Sequence, residues 1–395
     1  MANTVKFGAG NWAGNNDSIL AYNDQDGNFK PIPFVVTRNS VGSFVNKQKM
    51  VQRAGLKTGR VSYANNTNGA YLIESNATNI IPNSDAGTYG NGPGSETNVE
   101  SPDGTITAVR PVPNSSSDRY QYAIPANTYA TGTVLIYSWY RKRFSVPVNT
   151  YPGDLYQNGL INMGSGTTTQ IESDINGYDR FQVNTSITDG AVASIYRMYF
   201  GYVIGVGNSS IAYWGQQLEV STGTPKVATS LIYTDGAAAS RVTESSTAVD
   251  TRPNIQGDWS IYFSFGKTQK DGGGSSYFFR IDTTGDNLYL YTNSSGTDGL
   301  NPYFNGSNGG YIFGANQNNA WSTSESKVCL TFDSSTNRVA YFINGVLYLA
   351  VTRALVFGTT TNTSMQSGGN MVNVRDYKFY DETLTDSKSM ALTTI

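Results

Sequence analysis

The chain has 395 residues, too many for one compact core, and its 38% hydrophobic and 12% aromatic content supplies material for two or three. Charged residues make up only 14%, and 27 basic against 29 acidic side chains leave no electrostatic footprint for nucleic acid. There is no histidine, which removes the commonest general base and metal ligand, and the single cysteine, Cys329, excludes an intrachain disulfide and a thiolate zinc site.

Asn, Ser, Thr and Gly take the place of the missing charge, so the surface bonds through amides, hydroxyls and backbone. The only tight basic cluster, RKR at 141–143, reads as solvated charge at a strand end. The N-terminus MANTVKFGAGNW has no signal-peptide pattern, and no run of 18 apolar residues could span a membrane. Synthesis in a cytoplasm is the expectation, with no membrane and no nucleic acid among the partners.

In chain order, residues 1–70 show few clear strands and much Gly, Asn and Lys. They still hold Phe7, Trp12, Ile19, Phe29, Phe34, Val35, Val36, Phe44 and Val45. Apolar surface of this kind in a polar segment points to contact with copies of itself or with another protein. Residues 71–242 form a strand-rich block that includes VLIYSWY at 134–140 and ASIYRMYFGYVI at 193–204. The polar run TESSTAVDTRPN at 243–254 reads as a linker. Residues 255–395 form a second block. In DWSIYFSF, Trp259, Ile261, Phe263 and Phe265 share one face of a strand; KVCLTF places Cys329 in another as a small buried or half-buried residue. In RVAYFING, Val339, Tyr341 and Ile343 alternate before Asn344-Gly345, a tight-hairpin signal because both turn residues need positive φ. Only LTDSKSMAL at 384–392 is helical in pattern, with Thr385 or Asp386 as cap. The fold class is all-β: tandem sandwiches or jelly rolls with a small N-terminal attachment region.

Four segments carry a family resemblance. TRNSVGSFVNK at 37–47, YLIESNATNII at 71–81, SPDGTITA at 101–108 and WGQQLEVSTGTPKVATSLIYTDGAAASRVTES at 214–245 resemble, in order, segments shared by tailed-bacteriophage fibre, spike and virion proteins. Gly42 stands where that family commonly has alanine. The region they span is similar to carbohydrate-binding-module jelly rolls. Residues 255–392 resemble a concanavalin-like or laminin-G-like sandwich, through DWSIYFSF, KVCLTFDSSTNRVAYFINGVLYL and RDYKFYDETLTDSKSMALT. The resemblance implies a non-catalytic protein on a virion surface, assembled in the host cytoplasm and commonly homotrimeric. It would dock to capsid or tail proteins and contact host-surface glycan.

The candidate glycan contact is the long segment 297–326, where Tyr303, Phe304, Tyr311, Phe313 and Trp321 mix with Asn and Gly. Tyr303, Tyr311 and Trp321 are the expected binding residues, and the alternative is that these aromatics fill the core or form another strand pair. Asp282, Asp286 and Asp298 lie at loop edges, where turn capping is the favoured reading over calcium. No cofactor and no metal are expected. Glu172 with Asp174, or Asp376 with Asp381 and Glu382, are the carboxylate pairs a glycosidase would use, and no motif singles either out. The competing functions are a polysaccharide depolymerase and a purely structural decoration protein.

Overall fold

The computed structural model describes residues 4–8, 12–15, 18–25, 28–85, 95–112, 120–124, 127–144, 155–156, 168–187, 192–193, 196–200, 211–222, 227–248, 253–266, 269–270, 276–292, 300–306, 310–311, 325–366 and 370–395. Among them the chain is all-β apart from one helix, Asp386–Thr393. Thr385 caps it, its side chain accepting from the Lys388 backbone N–H, as the sequence signal predicts.

A first antiparallel sheet has six strands, in the order Ser95–Val99, Ala108–Val112, Ile211–Thr222, Thr133–Arg143, Tyr178–Ser186 and Thr168–Ile175. Leu135, Tyr137, Trp139, Phe181, Val183 and Leu218 build its core. Arg141 is not a solvated charge: its guanidinium lies 3.9 Å over the Phe181 ring centroid and the residue is buried.

The second sandwich centres on Trp259–Phe265, paired on one side with Ser326–Asp333 and on the other with Asn370–Tyr380. All seven residues of that strand are buried. Trp259, Ile261, Phe263 and Phe265 join the main core, while the opposite face lies under the C-terminal helix segment, where the Ser260 hydroxyl donates to the Glu382 carbonyl and accepts from the Leu384 N–H. Burial pushes the Cys329 thiol up to about 12, so it is an inert core residue. The hairpin joins Arg338–Ile343 to Val346–Thr352, with Asn344 and Gly345 at φ 49° and 84°. The facing layer runs Thr360–Gln366, Ser276–Thr283, Asn287–Thr292, Leu300–Asn305 and Gly310–Tyr311.

N-terminal strands are woven into this second sandwich. Thr4–Gly8 pairs with Asn370–Tyr380 and with Ser18–Gln25, which pairs with Asn28–Val36. Asn28–Val36 then pairs with Ser245–Ala248, which pairs with Thr360–Gln366 in the facing layer. These strands therefore close one edge between the two layers. Phe34, Tyr71 and Ile73 sit in the same apolar core as Trp259 and Phe263, so part of the N-terminal apolar set is covered within the chain. Of the run at 243–254, expected to be a linker, Ser245–Ala248 is a paired strand. Its Ser and Thr side chains suit a short strand, and Glu244, just before it, is fully buried.

Candidate functional site

The four segments that carry the resemblance converge, although up to 208 positions separate the residues that bond. Arg38 from the first, Glu74 from the second, and Ser230, Arg241 and Glu244 from the fourth meet Arg60 in a buried cluster. Glu244 pairs with Arg38 and Arg60; Glu74 lies 2.6 Å from Arg60 and 3.3 Å from Arg241. Ser230 donates to Glu74 through its N–H at 2.7 Å and its hydroxyl at 2.6 Å. Burial opposes the Arg60 charge, but Glu244 and Glu74 more than offset it and hold the guanidinium above its ordinary value. Burial also works against ionised Glu74, yet Arg241, Arg60 and the Ser230 bonds bring its carboxyl down to about 2.

Asn79, of the TNII segment, donates to the carbonyls of Gln216 and Ile232 and accepts from the Leu218 and Ile81 N–H groups, tying the cluster to the first sheet. In the SPDGTITA segment, Asp103 accepts from Ser101 and Thr105, and Thr107 accepts from the Trp214 indole at 3.0 Å. Apart from the Arg241 Nε, which is buried without a hydrogen-bond partner, these donors and acceptors bind one another, so the cluster is a structural junction. Gly42 has a steric reason here: a Cβ would lie 3.2 Å from both the Arg38 and the Arg60 side chains.

Tyr303, expected at a glycan site, lies in a different place, on the outer layer of the second sandwich. Strand alternation there splits the sequence cleanly. Phe279, Ile281, Leu288, Leu290 and Phe304 point into the core, while Tyr277, Tyr289, Tyr291 and Tyr303 stay half-buried on the outer face. An irregularity between Tyr277 and Phe279 lets Phe278 and Phe279 both be buried and leaves Tyr277 outside.

The outer tyrosines form a row across three strands. Tyr277 stacks on Tyr289 with centroids 5.4 Å apart, and Tyr289 on Tyr303 at 6.0 Å, with interplanar angles of 22° and 19°. Tyr291 leans against both ends, 6.4 Å from Tyr277 and 5.8 Å from Tyr303. Near-parallel rings one strand apart turn their faces largely to each other, so solvent meets ring edges and the phenol ends of the side chains. At one end Arg280 lies 5.5 Å from the Tyr277 centroid and donates to its hydroxyl at 2.9 Å. Asp282 fixes the guanidinium through a 2.6 Å bond to Nε and accepts from Asn362 at 3.0 Å. Burial works against the Arg280 charge, and the bonds to Asp282 and Tyr277 raise it above its ordinary value.

Tyr311 stands opposite Tyr303 in the strand ladder, so the structure brings these two expected residues into register. Trp321, Phe313 and Asp298 lie outside the described residues. Sequence reasoning missed Tyr277, Tyr289 and Tyr291; the alternation Tyr-x-Tyr in NLYLYTN was the available signal. Phe304 follows the alternative reading and fills the core. Asp286 accepts from the Val356 N–H at 2.7 Å, and Asp282 is paired with Arg280, so both act as local anchors. Among the described residues no three His, Cys, Asp or Glu side chains are grouped to hold a metal.

No family model matches the chain, and no curated protein matches it. Among solved structures it is similar to the Ruminococcus gnavus IT-sialidase CBM40, at 13% identity over 35% of this chain and 83% of that one, with a TM-score of 0.27. The same module bound to alpha2,6 sialyllactose gives 13% identity, 35% and 84% coverage and a TM-score of 0.28. The heptameric SAP-like pentraxin from Limulus polyphemus gives 15% identity, 35% and 70% coverage and a TM-score of 0.26.

Proposed function

We propose that this chain is a non-catalytic surface protein of a tailed-phage virion, a head or tail fibre or spike, that adheres to host-surface glycan through the tyrosine row. The virion part rests on the four ordered sequence segments. The glycan part rests on one observation: a rigid outer row of tyrosines ending in an arginine already oriented by Asp282. Phenol hydroxyls and a fixed guanidinium donate to sugar hydroxyls, and ring edges pack against their C–H surfaces.

A glycan array on the purified chain, coupled to a reducing-end assay, tests this reading. Binding without release of reducing ends is expected, weakened by about 1–3 kcal/mol in Tyr289→Ala and Tyr303→Ala. Release of reducing ends identifies a depolymerase, and an empty array leaves a structural protein. The homotrimer is part of the proposal. Light scattering on the eluted full chain is expected to give three times 42.7 kDa, and a clean monomer rejects it. A low-resolution map of the virion distinguishes head from tail.

A further inference from the structure

Among the described residues, the chain passes four times between the sheet of the second sandwich and the rest of the molecule. It leaves Asn28–Val36 for the hairpin of Gly42–Val45 and Val51–Ala54, and returns at Val61–Ser62. It leaves again after Ala70–Ile73 for Ala77–Asn79, and returns from Ala239–Arg241 at Ser245–Ala248. One member of the ionic junction stands at each passage. Arg38 lies two residues past Val36, Arg60 one before Val61, Glu74 one past Ile73 and Glu244 one before Ser245.

The four passages are bonded to one another. Glu244 pairs with Arg38 and Arg60, and Arg60 with Glu74, so the ion pairs alone join all four. Backbone bonds run beside them: the Thr37 N–H donates to the Ser245 carbonyl at 2.9 Å, Leu72 to Arg60 at 2.9 Å and Glu244 to Glu74 at 3.1 Å. The knot continues into both sandwiches. On one side Ile73 stands opposite Val372, and Ser246 opposite Val36 and Met365. On the other, Ser230 binds Glu74, and its neighbour Thr229 reaches two strands of the first sheet. The Thr229 N–H donates to Glu219 at 2.9 Å, and its carbonyl accepts from Arg180 at 2.8 Å.

Sandwiches joined by a chain move against each other unless their interface is large and apolar. Here a cleft of about 310 Å³ opens at the border, with Tyr140 and Glu172 on one wall and Glu325 and Arg375 on the other. The charges of each wall pair within it, Glu172 with Arg180 and Glu325 with Arg375. We infer that the ionic junction is a lock on the angle between the two sandwiches. A chain crossing once pivots and a chain crossing twice hinges, but four crossings bonded to one another do neither while the bonds hold. Loosening them singly leaves a buried charge without its partner, so the lock opens as a whole or not at all. Closed, it makes the first sheet and the second sandwich turn as one body; open, it leaves a hinge at residues 36–38, 60–61, 73–74 and 244–245.

Two measurements on the full chain test this. Spin labels at Thr131→Cys in the first sandwich and Thr336→Cys in the second report the distance between them; both positions are exposed, and the native Cys329 is buried and takes no label. A single narrow distance distribution is expected for the labelled parent and for Phe263→Leu, which perturbs the second core instead of the junction. Glu244→Ala, and Arg38→Met, which leaves Glu244 paired with Arg60, should widen it about twofold or more with far-UV circular dichroism unchanged. A broad distribution in the parent, a narrow one in a folded junction variant, or equal widening by Phe263→Leu overturns the inference. Hydrogen exchange on the wild type needs no variant, and decides if neither junction variant folds. The Thr37, Leu72, Glu74 and Glu244 amides should become exchangeable in one opening event, with protection equal to within about threefold. Separate openings at the four amides would show independent links and no lock.

Discussion

The ionic junction and the core of the second sandwich solve the same problem by opposite means. In the junction, Arg38, Arg60, Arg241, Glu74 and Glu244 are buried with each other, and the backbone around them is fixed by directional bonds. In the second core, Trp259, Phe263, Phe278, Phe279, Phe332 and Phe357 interlock through ring contacts at 4.9–5.9 Å, such as Phe263 on Phe279 and Trp259 on Phe332. An apolar core tolerates many arrangements of similar volume. A buried charge tolerates only the partner that neutralises it. The junction gathers segments from residues 38 to 244 through directional pairing, whereas the sandwich, whose central strand also pairs only with distant strands, is held by apolar packing.

Single substitutions give the sharpest break between the two. Glu244→Ala strands the Arg38 guanidinium, takes one of two carboxylates from Arg60, and is expected to cost about 3–5 kcal/mol. Phe263→Ala opens a cavity in the aromatic core and is expected to cost a similar amount, about 3–5 kcal/mol. The distinction lies in rescue: Phe263→Leu should recover most of the loss, whereas Glu244→Gln should recover little, because a neutral amide leaves the buried Arg38 charge without a carboxylate. Chemical denaturation of the four variants reads this directly.

Acid should act on the junction and spare the aromatic core. The Glu74 carboxyl, ordinarily near 4.5, is depressed to about 2 in the folded chain. Its contribution is therefore complete above about 4.5 and is lost as pH falls toward 2, a loss of roughly 3 kcal/mol. Glu219 works with the opposite sign: burial raises its value, so protonation relieves a cost and offsets part of the loss. Urea midpoints at pH 6, 4 and 2.5 should fall steadily, and a flat profile would contradict the Glu74 assignment.

A smaller expected effect concerns how far the second sandwich stands alone. Residues 250–395 carry its central strands and closing helix but lack Phe34, Tyr71 and Ile73 and the N-terminal edge strands. A soluble, cooperatively melting fragment is expected, with a lower melting temperature than the intact chain. Aggregation of the fragment would mean that the N-terminal strands are indispensable. The smallest effect is expected from Gly42→Ala, about 1 kcal/mol, because the added methyl presses on two arginines that Glu244 holds in place. A neutral or stabilising result would show that the junction can give.

Local chemistry was legible residue by residue. The alternation in DWSIYFSF predicts Trp259–Phe265, Asn344-Gly345 predicts its hairpin, and Thr385 predicts the helix cap, because each depends on neighbours within a few positions. Tyr303 could be picked out as an aromatic in a polar segment, but its partners could not. Tyr277 and Tyr289 reach it only through strand register, and alternation alone does not say which face of a strand lies inside.

By itself, then, the sequence determined an all-β chain with a charge-poor surface, its principal strands and its closing helix, since these follow from short-range period and turn chemistry. Tertiary structure decided that three of the four polar segments form a buried ionic junction and that the N-terminal strands complete the distant second sandwich. A glutamate such as Glu244 reads as surface until two arginines from a distant part of the chain meet it, and no local pattern encodes that meeting.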